Sequence, residues 1–108
     1  MKEIQNIEEL QSLINEQLAV LIYFYNDDCP PCFSLRPKVE KLVSDQFSKM
    51  HLMWVNSKTT PDIPASFTIF SNPTILLFFD GKETRRFSKY ISMDELSESI
   101  DRYYKLIF

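Results

Sequence analysis

Two apolar runs constrain this chain more than any other feature: Ala19-Val20-Leu21-Ile22-Tyr23-Phe24-Tyr25 and Thr74-Ile75-Leu76-Leu77-Phe78-Phe79. A strand with one wet face alternates polar and apolar residues, whereas a run without alternation must be covered on both faces. The β-branched and aromatic residues in both runs favour strands over helices. The chain is therefore predicted to build a sheet with helices packed on each side. Its 108 residues allow one domain, 1–108, because a second would be too small to bury a core of its own.

The segments around these strands supply the helices. Asn6-Ile7-Glu8-Glu9 reads as a helix start with Asn6 as N-cap and Glu9 reaching back to it. Ile7, Leu10, Leu13 and Ile14 then recur at helical spacing, fading near Gln17. Leu35, Val39, Leu42, Val43 and Phe47 mark a second, longer helix from about Cys32 to Ser48. Pro37 falls inside it, where a kink is expected. His51 to Asn56 reads as a strand, and a short helical segment is expected around Asp62 to Phe67. Asp80-Gly81 signals a hairpin that returns over Glu83 to Ser88. Ser92-Met93-Asp94-Glu95 is a capping box ahead of a last helix with Leu96, Ile100, Tyr103 and Ile107 on its apolar stripe. Strands joined through helices are expected to run parallel, and the hairpin pair antiparallel. The apolar end Leu106-Ile107-Phe108 is expected to pack on the core.

Composition narrows the function classes. Twelve Lys and Arg against fifteen Asp and Glu leave a formal charge of −3, so no basic face for nucleic acid is expected. The longest apolar run, Leu18 to Tyr25, is under half the length of a membrane span, and no membrane partner is expected. The start MKEIQNIEEL lacks the apolar core of a signal peptide, which points to a cytoplasmic chain. With no phosphate cradle or cofactor motif in view, no cofactor is expected.

The only two cysteines, Cys29 and Cys32, stand in DDCPPC. A bridge between them closes so short a loop that it removes little unfolded-state entropy, which makes it a poor staple. One CxxC is half a tetrahedral zinc site, and His51 is the sole histidine. Redox chemistry is the leading reading. An inert pair or a metal-binding pair are the alternatives, and His51 is read as a strand-end residue without a catalytic task.

A strand ending just before CxxC, with a helix following it, resembles the thioredoxin family. Three more features fall in register. Pro37 lies five residues after Cys32, where the family carries a helix-kinking proline. Asn72-Pro73-Thr74 places a proline 44 residues after Cys29, where the family has a cis-proline followed by threonine and a strand. Gly81 stands eight residues after Pro73, at the family's hairpin glycine. The resemblance runs over nearly the whole chain and implies a thioredoxin-like α/β fold, a mixed sheet flanked by helices on both faces in the order βαβαβαββα. It implies that Cys29 is the exposed attacking thiol at a helix N-terminus, where unpaired N–H groups favour an anion. Cys32 would resolve the mixed disulfide. Pro73 would be cis, opposite the cysteines, leaving the backbone of Asn72 free to pair with an extended substrate.

The departures from the family pattern carry their own chemistry. Where the family commonly buries an aspartate, six residues before the first cysteine, this chain has Tyr23, and the lysine that pairs with that aspartate aligns with Trp54. The usual base is missing, so Cys32 is expected to lose its proton to water or to a substrate group and to resolve slowly. Pro30 and Pro31 together remove two N–H groups that could face the Cys29 sulfur. Asp27 and Asp28 add negative charge that disfavours a thiolate. A less stabilised thiolate goes with a more reducing couple. Asp28 replaces the family's tryptophan, Asn72 precedes the proline, and Lys89 stands at a late glycine, which predicts a polar, bulky docking rim.

The resemblance thus implies a thiol–disulfide oxidoreductase reducing protein disulfides, supplied by an electron donor such as a thioredoxin reductase and working as a monomer. Two other classes compete with it. One is a thioredoxin-fold peptide-binding or scaffold module with idle cysteines. The other is a metal or iron–sulfur protein assembled from two CxxC pairs across a dimer.

Overall fold

The computed structural model describes residues 2–108. Nine elements follow one another: β1 (Lys2–Glu3), α1 (Ile7–Glu16), β2 (Ala19–Tyr25), α2 (Pro30–Gln46), β3 (His51–Asn56), α3 (Asp62–Ser66), β4 (Thr74–Phe79), β5 (Lys82–Ser88) and α4 (Met93–Ile107). The five strands form one sheet in the order β1-β3-β2-β4-β5. Strands β1 and β2 both run parallel to β3, while β4 is antiparallel to β2 and to β5.

β2 lies at the centre and every one of its residues is buried. Because successive side chains point to opposite faces, its apolar run divides between two cores. Ala19, Leu21, Tyr23 and Tyr25 face Val39 and Val43 of α2 and Leu96 and Ile100 of α4. Val20, Ile22 and Phe24 face Leu10 and Ile14 of α1 and Ile63 of α3. That division puts Tyr23 on the same side of the sheet as both cysteines.

The caps explain where the helices begin. Asn6 accepts the Glu9 N–H at 2.8 Å, but the Glu9 carboxylate takes the N–H of Gln5 at 2.9 Å, one residue before the expected partner. Ser92 accepts the Glu95 N–H at 3.3 Å, while the Glu95 carboxylate turns to Arg85 of β5 at 3.7 Å. α2 starts at Pro30, two residues ahead of the expected point. Proline is well suited to a first turn, whose N–H groups have no helical partner anyway. In the hairpin, Asp80 (φ 54°) and Gly81 (φ 78°) both adopt left-handed backbone, the geometry of a two-residue turn matched to strand twist.

One topological expectation fails. β3 and β4 are joined through a helix yet run in opposite directions, since β4 is antiparallel to β2 and β2 is parallel to β3. A parallel crossover needs a connection that travels back along the sheet. α3 is a five-residue helix, and β4 begins beside the end of β2, with Thr74 opposite Phe24. The chain end also differs from expectation: Ile107 packs on the core, but Leu106 is exposed and Phe108 lies partly open against Tyr104. Among the described residues, no helix is long and apolar enough to cross a membrane.

Candidate active site

The cysteines sit where the central strand hands over to α2. Asn26 Oδ1 accepts the Asp28 N–H at 2.9 Å, a side-chain turn that bends the chain out of β2. Cys29 is the N-cap of α2, followed by Pro30 and Pro31 at its first two positions. Cys29 and Cys32 are joined by a disulfide, with Cα atoms 5.3 Å apart. Cys29 is 8% exposed and Cys32 1%, so in this oxidised form the first cysteine is the more accessible of the two but not open.

The cap itself is unusual. An N-cap side chain normally accepts from the N–H of the second or third helical residue. Pro31 has no N–H to give, and the Cys32 N–H is committed to the Cys29 carbonyl at 3.0 Å. The Cys29 side chain receives no capping hydrogen bond. Nearby, Asp28 lies 3.4 Å from Lys58, and both side chains are largely exposed, which leaves that pair weak. Asp27 accepts from the Asn56 amide at 3.5 Å.

Across from the helix start, the Asn72–Pro73 peptide is cis. The Pro73 carbonyl accepts the Lys89 N–H at 2.9 Å, and Thr74 Oγ1 donates to the Ser71 carbonyl at 2.7 Å. Asn72 Oδ1 accepts from the Ser57 hydroxyl at 3.0 Å. Among the described residues, no hydrogen bond engages the backbone N–H or carbonyl of Asn72. Pro31 and Pro73 line one cleft of about 460 Å³ together with Lys89, Tyr90 and Ile91. Asp28, Pro30 and Phe33 line a neighbouring hollow. Pro37 is not in either; it lines a separate groove with Leu13 and Met53.

The rim is polar only in part. Phe33 is 49% exposed, Phe70 88% and Tyr90 97%. Tyr90 lines the cleft with Pro73 and Phe33 the neighbouring hollow, while Phe70 stands two residues before Asn72 in the chain and lines neither. None of the three belongs to an apolar period in the sequence: Phe33 stands off the buried stripe of α2, and Phe70 and Tyr90 are single aromatics in loops.

Beneath the disulfide the environment is aromatic. The Tyr23 hydroxyl donates to the Cys32 carbonyl at 2.6 Å, and the Tyr23 ring meets Trp54 edge-on with centroids 5.1 Å apart. Burial pushes the Tyr23 phenol up to about 12. Among the described residues no Asp or Glu side chain is buried, so no carboxylate is buried below the cysteines. A cation reaches this aromatic wall from α2: the Arg36 guanidinium lies 4.0 Å from the Trp54 ring centroid and 5.2 Å from that of Tyr25. Glu40 pairs with it at 3.5 Å. Tyr25 donates to Glu3 at 2.8 Å, and burial first, then Glu3, raises its phenol. Arg36 was not singled out from sequence, although its place one turn beyond Cys32 on the same helix was the available signal. Among the described residues, no group of three or more His, Cys, Asp or Glu could hold a metal ion.

Comparison with known proteins agrees with this geometry. The family model for thioredoxin matches residues 2–102. The chain is 28% identical to the thioredoxin-like protein YdfQ of Bacillus subtilis, over 98% of this chain and 96% of that protein. It is 33% identical to a thioredoxin of Rickettsia bellii, over 68% of this chain and 70% of the relative. The X-ray structure of Fasciola hepatica thioredoxin superposes with a TM-score of 0.85 at 29% identity, covering 94% of this chain and 98% of that one.

Proposed function

The chain belongs to the thioredoxin family and is a thiol–disulfide oxidoreductase; we propose that it works as a reductant of protein disulfides, with Cys29 attacking and Cys32 resolving. The observation that carries this reading is the Cys29–Cys32 pair at the start of α2, whose Pro31 shares a cleft with Pro73. In the dithiol form, the Cys29 thiolate attacks one sulfur of a substrate disulfide, and the other leaves as a thiolate that takes up a proton. Cys32 then loses its proton, attacks the Cys29 sulfur and expels the second substrate thiol. Two electrons pass from the protein dithiol to the substrate, and the protein is left as its disulfide.

Binding follows from the same cleft. An extended substrate segment pairs with the unengaged backbone of Asn72, held in place by Pro73 with Pro31 in the same cleft, while Pro30 and Asp28 extend the contact into the neighbouring hollow. Pro37 supports the helix and takes no part in contact. The uncapped Cys29 sulfur favours a reducing couple, because nothing in the cap selectively stabilises the thiolate form. An external dithiol donor of the thioredoxin reductase class returns the disulfide to the dithiol, and the protein acts as a cytoplasmic monomer without nucleic-acid or membrane partners.

Two variants test this assignment. Cys32→Ser should accumulate mixed disulfides with substrate, visible as a reductant-sensitive mass increase. Cys29→Ser should abolish reduction of a disulfide-containing protein such as insulin. Full peptide affinity in both variants, with no turnover by the unmodified protein, would replace this reading with that of a peptide-binding module.

A further inference from the structure

The proton of Cys32 has no buried carboxylate to receive it, and the residue touching its backbone is a donor. The Tyr23 hydroxyl gives its hydrogen to the Cys32 carbonyl, and burial holds that phenol in its neutral form. What the site offers instead is fixed positive charge. Cys32 and Arg36 are four residues apart on α2, a spacing that sets Cβ atoms roughly 5–6 Å apart on one helix face. The guanidinium is held over Trp54 at 4.0 Å, Trp54 packs edge-on against Tyr23, and Tyr23 closes the ring back to Cys32.

We propose that Arg36 is a positioning residue of the reaction, whose charge, fixed by stacking on Trp54, favours the Cys32 thiolate and so makes loss of its proton to water easier. The inference rests on reading Cys32 as the resolving thiol. The proton goes to water, the thiolate attacks the Cys29 sulfur, and the departing substrate thiolate is reprotonated, so no further reactant is required. Arginine suits this task because it keeps its charge at any working pH and stacks flat on an aromatic face. The ionisable groups around the guanidinium are Tyr23 and Tyr25 from β2, Glu40 from its own helix, and Glu3 of β1 through the Tyr25 hydroxyl. Glu40 offsets part of the charge, but among the described residues Arg36 is the cation stacked on Trp54 and Tyr25.

The test uses reduced Cys29→Ser protein, in which Cys32 is the sole thiol and its ionisation can be followed by thiolate ultraviolet absorbance. Adding Arg36→Gln should raise the Cys32 midpoint by about half a pH unit, and Arg36→Lys should restore most of it. In protein carrying both cysteines, thionitrobenzoate is loaded on Cys29 and its release by Cys32 is timed. Arg36→Gln should slow release about threefold at pH 7 and leave it unchanged above the thiol midpoint. An unmoved midpoint, or a slowing equal at every pH, would overturn the proposal and leave Arg36 a packing residue. The thiol titration is independent of substrate reduction, so failure of the reductase reading would show separately. Should Arg36→Gln not fold, the midpoint of the Arg36→Met protein decides the same point.

Discussion

The Tyr23 hydroxyl lies 2.6 Å from the carbonyl of Cys32 and donates to it. A buried phenol therefore occupies the place beneath the second cysteine, and it is engaged as a donor. Its ring is shielded completely from solvent and backed by Trp54, which makes the neutral state part of the fold and links the protein's stability to alkaline pH.

The sign follows from the raised phenol. In the unfolded chain Tyr23 ionises at its ordinary value of 10.0, and in the folded protein at about 12. Stability from this group is complete below pH 10 and is lost as pH rises from 10 to 12, because only the unfolded state releases the proton there. Urea unfolding should show a loss on the order of 2 kcal/mol across that window. Tyr23→Phe should cost about 1 kcal/mol at neutral pH through the missing hydrogen bond. The same variant should show a shallower alkaline decline, and an unchanged decline would place the titrating group elsewhere.

Supplying the missing proton acceptor should quicken resolution. Tyr23→Asp puts a carboxyl below Cys32, and the variant should be less stable by about 3 kcal/mol because the acid is buried without an evolved partner. Provided circular dichroism shows it folded, Cys32 should displace thionitrobenzoate from Cys29 faster than in the unmodified protein at neutral pH. An unchanged rate would mean that proton removal does not limit this step.

Pro31→Ala returns a backbone N–H to the second helical position, one of the two donors that an N-cap side chain can use. The Cys29 thiolate should gain a hydrogen bond, lowering its pKa by about one unit. The couple should become more oxidising by roughly 15–30 mV. Alkylation rates against pH and a redox titration measure the two effects, and a more reducing couple would contradict the account of the cap.

Lys89 holds left-handed backbone (φ 60°) while its N–H binds the Pro73 carbonyl. A side chain at such a position is strained by about 1 kcal/mol or more, and glycine removes the strain at the cost of greater unfolded-state entropy. Lys89→Gly should leave stability unchanged or raise it by up to about 1 kcal/mol, read as the shift in the urea midpoint. A loss beyond 1 kcal/mol would show that the lysine side chain holds the loop.

The sheet was legible because Ala19–Tyr25 and Thr74–Phe79 lack alternation, and burial on both faces is the only physical way to satisfy such runs. Turn and cap chemistry was legible for the same local reasons at Asp80-Gly81, Asn6 and Ser92. The reversal of β4 was not, since it depends on α3 remaining one short helix rather than a full crossover. The cysteine pair stood out by its spacing, whereas the cis geometry of Pro73 was implied only by the family resemblance. For Arg36 only its place one turn after Cys32 was legible, because its contact with Trp54 joins α2 to β3 through tertiary packing that no local pattern encodes. Phe70 and Tyr90 were missed for a related reason: the periodicity that finds core residues ignores single aromatics in loops.

The central claim is that this protein is a reductant whose Cys29–Cys32 couple is set by an uncapped thiolate. Equilibrating it in redox buffers of known potential and counting free thiols tests that claim most directly. The account predicts one reversible two-electron transition near the roughly −270 mV typical of thioredoxins. A midpoint near the roughly −120 mV of strong oxidants, or no reversible transition, would contradict it.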